Sequence, residues 1–307
     1  MSDLLLVDVG GTNMRYAYCE SGANEIHKSE KISLKNLDNF DTIIGDLIDN
    51  SDLSITNAVF SIAGPKIGNT ISMTNRSFVA NADILLEKFK LDQCHLLNDW
   101  ESIGYSLKGT PEDKIEYLKL GVQINSNSLV LGPGTGLGAA FTSRDSVIAT
   151  ELGNTTNWTS SLLKNFAINN DNGHYKTLED IVSGSGISKL YESISGESIS
   201  AEEVIKRFNQ NEDLASNIIN GFIKSLANVL SDAALAYVPG NGIFLAGGLS
   251  RTLLPLIDKE LFKDHFLENK SVIHKELLSK IRIGVITREL TCLYGNLNYF
   301  RLLNKAN

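Results

Sequence analysis

Apolar and polar positions along the chain fall into short strand-like runs and longer stretches of helical spacing. Runs at Leu4 to Val9, Met14 to Cys19, Glu25 to Ile32, Ala58 to Ala63, Thr70 to Met73 and Cys94 to Leu97 predict strands. Between them the spacing predicts helices near Asn36 to Asp49 and at Ala82 to Phe89, so the first hundred residues read as an α/β layer structure. A second series opens with strands at Ser128 to Leu131 and Ala139 to Thr142 and then turns helical. Leu214, Ile218, Ile219, Phe222, Leu226, Val229, Leu230 and Ala233 predict one long buried helix between Glu212 and Tyr237, stopped by Pro239-Gly240-Asn241-Gly242. Ile243 to Ala246 follows as a strand, Gly247-Gly248 as a turn into a helix, and Leu290 to Leu303 as a terminal helix. Each half begins with a strand, a glycine-rich turn containing Thr and a second strand, the trace expected of an internally duplicated fold.

At 307 residues the chain exceeds one ordinary core, which favours two domains. Hydrophobic residues at 42% and charged residues at 21% are those of a globular protein. The net charge of -8, with Lys and Arg scattered, argues against nucleic acid or anionic membrane as a partner. Cys19, Cys94 and Cys292 are odd in number and far apart, so neither a disulfide framework nor a Cys-rich metal site is signalled and a reducing cytoplasm is expected. No stretch approaches eighteen apolar residues, and Leu4 to Val9 after Met1-Ser2-Asp3 is a buried strand rather than a secretion signal.

Three glycine loops carry the candidate chemistry. Asp8-Val9-Gly10-Gly11-Thr12-Asn13 lies between two strands, where glycines let backbone N–H groups approach a phosphate and Asp8 is placed to hold hydrated Mg²⁺. The same residues also suit a tight hairpin turn. Gly132-Pro133-Gly134-Thr135-Gly136-Leu137-Gly138 lacks the Gly-Lys-Ser/Thr of a Walker loop, and the stretch after it is too short for the helix of a dinucleotide fingerprint. Ala246-Gly247-Gly248 ends a buried strand and read alone is an ordinary turn.

Taken in order, the three loops resemble the phosphate-1, phosphate-2 and adenosine motifs of the hexokinase, actin and heat-shock ATPase superfamily, over essentially the whole chain. That resemblance implies two actin-like (ribonuclease H-like) α/β domains flanking a nucleotide and sugar cleft. We expect residues 1–108, completed by a helix at 289–307, to form the smaller domain and 109–288 the larger. It further implies ATP binding by Asp8, Val9, Gly10, Gly11, Thr12, Asn13, Gly134, Thr135, Gly136, Gly247 and Gly248, with Mg²⁺ held by Asp8 through water.

Within the superfamily, the acceptor side is similar to bacterial glucokinases. Leu96-Leu97-Asn98-Asp99-Trp100 fits the strand end carrying their catalytic Asp, Ser61 to Pro65 with Met73-Thr74-Asn75 matches a second segment, and Glu151 and Glu179 match two sugar-binding carboxylates. The resemblance implies Asp99 as general base and Asn75, Asn98, Asp99, Glu151, Asn154 and Glu179 around the sugar. Asn98 before a helix is equally a helix N-cap, and the two roles are compatible. Thr150-Glu151-Leu152-Gly153-Asn154 departs from the family's Gly-Glu-Gly-Gly-His, leaving Asn154 where a sugar-contacting His is usual. The Cys-rich zinc motif of the related repressor and open-reading-frame kinase family has no counterpart. His174, His265 and His274 lack ligand-like spacing. The expectation is a cytoplasmic, Mg²⁺-using transfer of the ATP γ-phosphoryl group to glucose in glycolysis, in a homodimer by resemblance. The rival readings are a kinase for another hexose or amino sugar, and a non-catalytic sugar sensor.

Overall fold

Leu4, Leu5, Leu6, Val7 and Val9 are all shielded from solvent, and a strand apolar on both faces must be covered on both. In the computed structural model, which describes residues 3–35, 39–51, 53–73, 76–156, 159–168 and 173–305, this stretch is β1 (Leu4–Val9). It pairs antiparallel with β2 (Asn13–Cys19), which in turn pairs with β3 (Glu30–Ser33). Helix α1 (Phe40–Asp49) leads to β4 (Asn57–Ile62), parallel to β1 on its other side. The chain then makes a small sheet of β5 (Lys66–Ile67), β6 (Thr70–Ser72) and β7 (Val79–Asn81), and α2 (Ala82–Phe89) carries it to β8 (Gln93–Asn98). With β8 parallel to β4, the main sheet has the order β3-β2-β1-β4-β8, and α3 (Asp99–Ser106) leaves its edge.

Alternation along β1 divides its burial between two layers. Leu5, Val7 and Val9 join Phe40, Ile43, Ile44 and Leu47 of α1, whereas Leu4 and Leu6 join Leu293, Leu297 and Phe300 of the C-terminal helix, Thr291–Lys305. The strand expected from Glu25 begins only at Glu30. Ile26 packs instead with the cluster under the C-terminal helix, and Glu25 accepts from Arg288 (3.3 Å) and Tyr294 (3.2 Å), which draws the segment off the sheet edge. Of the helix expected from Asn36, residues 36–38 lie outside the described residues. It begins at Phe40, with the Asn39 side chain accepting from the Thr42 amide at 3.0 Å.

The second sheet is built on the same scheme. β9 (Ile115–Lys119), β10 (Asn127–Pro133), β11 (Leu137–Ser143) and β12 (Ser146–Thr150) precede a helical stretch of α4 (Thr159–Leu162), α5 (Gly184–Ser195), α6 (Ala201–Asn209) and α7 (Asp213–Tyr237). β13 (Gly242–Leu245), α8 (Gly248–Leu253), α9 (Lys259–Leu267), α10 (Val272–Lys280) and β14 (Ile283–Ile286) complete it. The order is β12-β11-β10-β13-β14-β9, with β10, β13 and β14 parallel, so β11-β10-β13-β14 repeats the pattern of β2-β1-β4-β8. α7 is about 37 Å long at 1.5 Å per residue. Its predicted apolar face is buried, and it stops at Val238, whose φ of 44° is left-handed, just before Pro239.

By contacts the chain divides into one unit of Met1–Thr110, Val147–Ala149 and Arg288–Asn307 and a second of Pro111–Ser146 and Thr150–Thr287. Among the described residues no helix is long and apolar enough to cross a membrane.

Candidate functional site

In the first unit the candidate residues gather at the carboxyl ends of the parallel strands β1, β4 and β8, where open α/β sheets characteristically bind ligands. The loop after β1 closes through the Gly10 amide, which donates to the Asn13 carbonyl at 2.9 Å, a tight hairpin turn between β1 and β2. Arg76 donates to the Gly11 carbonyl at 2.6 Å and the Leu34 amide to that of Thr12 at 2.9 Å, holding the loop from both sides. Asn13 donates to the Thr12 hydroxyl at 3.0 Å.

Asp8 is the cross-strand partner of Ser61, whose hydroxyl lies 3.4 Å from its carboxylate. Burial pushes the Asp8 carboxyl up, against the opposing pull of the Cys292 thiol, Arg15 at 3.8 Å and Ser61. A divalent cation would restore the ionised form there. Among the described residues no cluster of three or more His, Cys, Asp or Glu is set to hold a metal, and Asp8 offers a single carboxylate, the number a largely hydrated Mg²⁺ can take.

Asn98 and Asp99 sit where β8 becomes α3. Asn98 is the N-cap: its Oδ1 accepts from the Trp100 amide (2.8 Å) and the Glu101 amide (3.4 Å), while Glu101 accepts from the Asn98 amide (3.2 Å) in a capping box. Its Nδ2 donates to the Gly64 carbonyl at 2.8 Å, which leaves one amide hydrogen for a substrate hydroxyl. Gly64 has φ 158° and no room for a Cβ, which would overlap the Ser72 carbonyl. Asp99, in the first turn of α3 and half-buried, accepts from the Trp100 amide at 3.0 Å. Asn75 lies outside the described residues.

The second unit holds the rest of the set. Glycine loops two and three end the neighbouring parallel strands β10 and β13, in register at Leu131 and Leu245. Gly247 adopts φ 100°, a conformation that requires glycine, and begins α8 without a side-chain cap. Loop two is tied back on itself by the Gly134 amide on the Gly136 carbonyl (2.7 Å). It is tied to the start of α5 by the Gly184 amide on the Gly134 carbonyl (2.7 Å) and the Ser185 hydroxyl on the Thr135 carbonyl (2.5 Å). Ser183 caps α5 and donates to the Glu179 carbonyl at 2.6 Å. The role of Ser183 and Ser185 in seating this loop was not legible in the sequence, because a serine at a helix start predicts only a cap.

Glu179 reaches the same loop: its carboxylate accepts from the Leu137 amide at 3.1 Å. Glu151 and Asn154 are exposed on one 3-10 turn, where Asn154 Nδ2 donates to Glu151 at 3.1 Å. The Gly153 between them passes so close to Leu137 that a Cβ would overlap its carbonyl. Glu179 and the turn that carries Glu151 and Asn154 thus both lie against the strand start that follows loop two.

The glucokinase family model matches residues 5–302. A glucokinase of Chelativorans sp. is 27% identical over 322 residues, covering 97% of this chain and 91% of that protein. In three dimensions the chain is similar to the glucokinase of Balamuthia mandrillaris crystallised with glucose, with TM-score 0.79, 21% identity and coverage of 97% and 93%. A ROK family glucokinase from Streptomyces griseus, in complex with glucose and AMPPNP, aligns with TM-score 0.67 at 14% identity, covering 97% and 98%. The sheet orders and these likenesses give both units the actin-like ATPase fold. With the family model spanning nearly all of its length, the chain belongs to the glucokinase family, sugar kinases that transfer a phosphoryl group to an alcohol acceptor.

Proposed function

We propose that the chain phosphorylates the 6-hydroxyl of glucose or a closely related hexose with ATP, and that Asp99 is its general base. The observation that carries this reading is the seat of Asp99: a half-buried carboxylate fixed in the first turn of a capping-boxed helix, at the same sheet end as Asp8. Phosphoryl transfer asks little covalent chemistry of a protein, so positioning and charge neutralisation carry most of the work. In this reading Asn98 donates its remaining amide hydrogen to one sugar hydroxyl, and Glu151 and Glu179 each accept from others. Asp99 takes the proton of the attacking hydroxyl as it closes on the γ-phosphorus, a contribution typically worth about 10² to 10⁴ in rate.

The Gly10 to Asn13 turn and the Gly134 to Gly136 turn present backbone N–H groups to the phosphates, and Gly247-Gly248 leaves room for the nucleoside. Mg²⁺, when bound through Asp8, supplies positive charge against the triphosphate. The Streptomyces griseus structure with AMPPNP and glucose supports the same pairing of substrates here. The free cysteines Cys19, Cys94 and Cys292 suit a reducing cytoplasm.

The bond from Asn154 to Glu151 favours one neighbouring reading, a kinase of broader hexose or amino-sugar preference, because this shorter side chain is already spent on orienting Glu151. A coupled ADP-release assay across glucose, mannose, galactose, fructose, glucosamine and N-acetylmannosamine tests both. Sugar-dependent ADP release with glucose among the best acceptors is expected. Tight sugar binding with no ADP release would defeat the proposal.

A further inference from the structure

Asn296 of the C-terminal helix has no exposed surface, yet its amide meets four polar partners. Nδ2 donates to the Val7 carbonyl (2.9 Å) and the Val59 carbonyl (3.3 Å) and faces the Ser61 hydroxyl (3.3 Å), while Oδ1 accepts from the Ser102 hydroxyl (2.8 Å). The two carbonyls fix the amide's direction, since a flipped amide would set its own oxygen against them. Its strand-side partners are the residue before Asp8, a neighbouring carbonyl of β4, and Ser61, which also reaches the Asp8 carboxylate. Ser102 lies three residues after Asp99, on the same face of α3. One buried side chain therefore touches both the strand end that carries Asp8 and the helix that carries Asp99.

Neighbouring features hold that link short. The single Ser102 hydroxyl hydrogen is shared between Asn296 Oδ1 and the Cys292 carbonyl, 2.6 Å away, and the Cys292 thiol, one turn before Asn296, lies 3.9 Å from the Asp99 carbonyl. A Cβ on Gly295 would overlap the Ser102 carbonyl, so the C-terminal helix and α3 meet backbone to backbone at this level. The inward positions Leu293, Leu297 and Phe300 of the same helix are apolar. If packing alone were needed, an apolar side chain at 296 would avoid the cost of burying an amide.

We infer that Asn296, acting through Ser61 and Ser102, is a positioning residue for phosphoryl transfer, fixing the spacing between Asp8 and Asp99. This rests on the reading of Asp99 as the base. Misplacing a catalytic group by about 1 Å can cost roughly 10²-fold in rate, so loosening this link slows turnover rather than weakening binding.

The test uses Ser102→Ala, a mild change, with Gly295→Ala as an independent one that forces the two helices apart. Each variant is measured for kcat, for KM of sugar and of ATP, and for Tm. Ser102→Ala is then repeated in the Asp99→Asn background. The expected result is a fall in kcat of roughly tenfold or more with both KM values within about threefold. In the Asp99→Asn background Ser102→Ala should add less than about twofold, because a base that is absent cannot be misplaced. Two results would overturn the inference: a lowered Tm with kcat unchanged in both variants, or the same fractional loss of kcat with and without Asp99. Near wild-type turnover of Asp99→Asn itself would remove the base, a failure visible before Ser102 is touched.

Discussion

Gly134 and Gly136 are two residues apart in one loop, yet the structure separates what a side chain would do at each. A Cβ on Gly134 meets nothing within 4 Å, and the residue is exposed and outside the left-handed region, so the free protein accommodates Val there. A Cβ on Gly136 would stand 2.5 Å from Glu179 Oε2, the oxygen that accepts from the Leu137 amide. Relief requires a shift of about 1 Å, easy for a carboxylate at the end of a flexible chain but enough to break that bond. Hydrogen bonds to charged groups contribute roughly 1.5–3 kcal/mol, a factor of about ten to a hundred in an equilibrium. Gly136→Ala is therefore expected to raise the sugar Kd about tenfold or more and the nucleotide Kd by less. Gly134→Val is expected to leave Tm and sugar binding in place and weaken ATP binding, its branched side chain blocking backbone approach to the phosphates. Calorimetric titration of each variant with glucose and with a non-hydrolysable ATP analogue reads both effects. The reasoning is refuted if Gly136→Ala binds sugar as the wild type does, or if Gly134→Val loses sugar and nucleotide affinity equally.

Three further outcomes follow from named contacts. Asn154→His should lower KM for glucose about twofold to tenfold at unchanged KM for ATP, the worth of one neutral hydrogen bond, and equal values in steady-state kinetics would place residue 154 away from the sugar. Lys119 is 5% exposed; burial first, then the Lys263 charge, lowers its ammonium to about 8, although it donates to the Leu120, Ser279 and Ile281 carbonyls. The unfolded chain then holds a proton that the folded chain has released between about pH 8 and 10.5, so this group makes stability rise across that window. Urea midpoints should show that rise in the wild type and not in Lys119→Met. Burial works to raise the Asp180 carboxyl, but Lys189 at 2.7 Å and the Thr177 and Lys176 amides outweigh it and bring it to about 2. Its stabilisation is complete above the unfolded value near 3.8 and is lost as pH falls through about 2, so Asp180→Asn should flatten the acid limb of a pH–stability curve.

The fold class could be read from the chain because its signals are local. β1 is a continuous apolar run, α7 repeats its apolar face for 25 residues, and the glycine loops fall where strands must end. β12 is mostly exposed and shows no alternation of apolar and polar positions, so no strand is predicted there. The segment before Glu30 carries no such local signal, because Ile26 is apolar whether it lies in a sheet or under a helix. Glu151 and Asn154, three apart on one turn, are bonded as short-range spacing allows. Ser102 and Asn296 are separated by 194 residues, and a serine on a helix face looks the same in sequence whether it meets water or a buried amide. What the sequence withheld is mostly of this kind: polar pairs that exist only once distant elements have packed.

The central claim is that Asp99 takes the proton of the sugar hydroxyl during phosphoryl transfer. Asp99→Asn keeps the shape of the side chain and its place in the first turn of α3 but cannot accept a proton. Sugar affinity from calorimetry and kcat from ADP release, measured on the same preparation, separate binding from chemistry. The account predicts glucose binding within about threefold of wild type and kcat lower by roughly 10² or more. Turnover near that of the wild type, with binding intact, would contradict it.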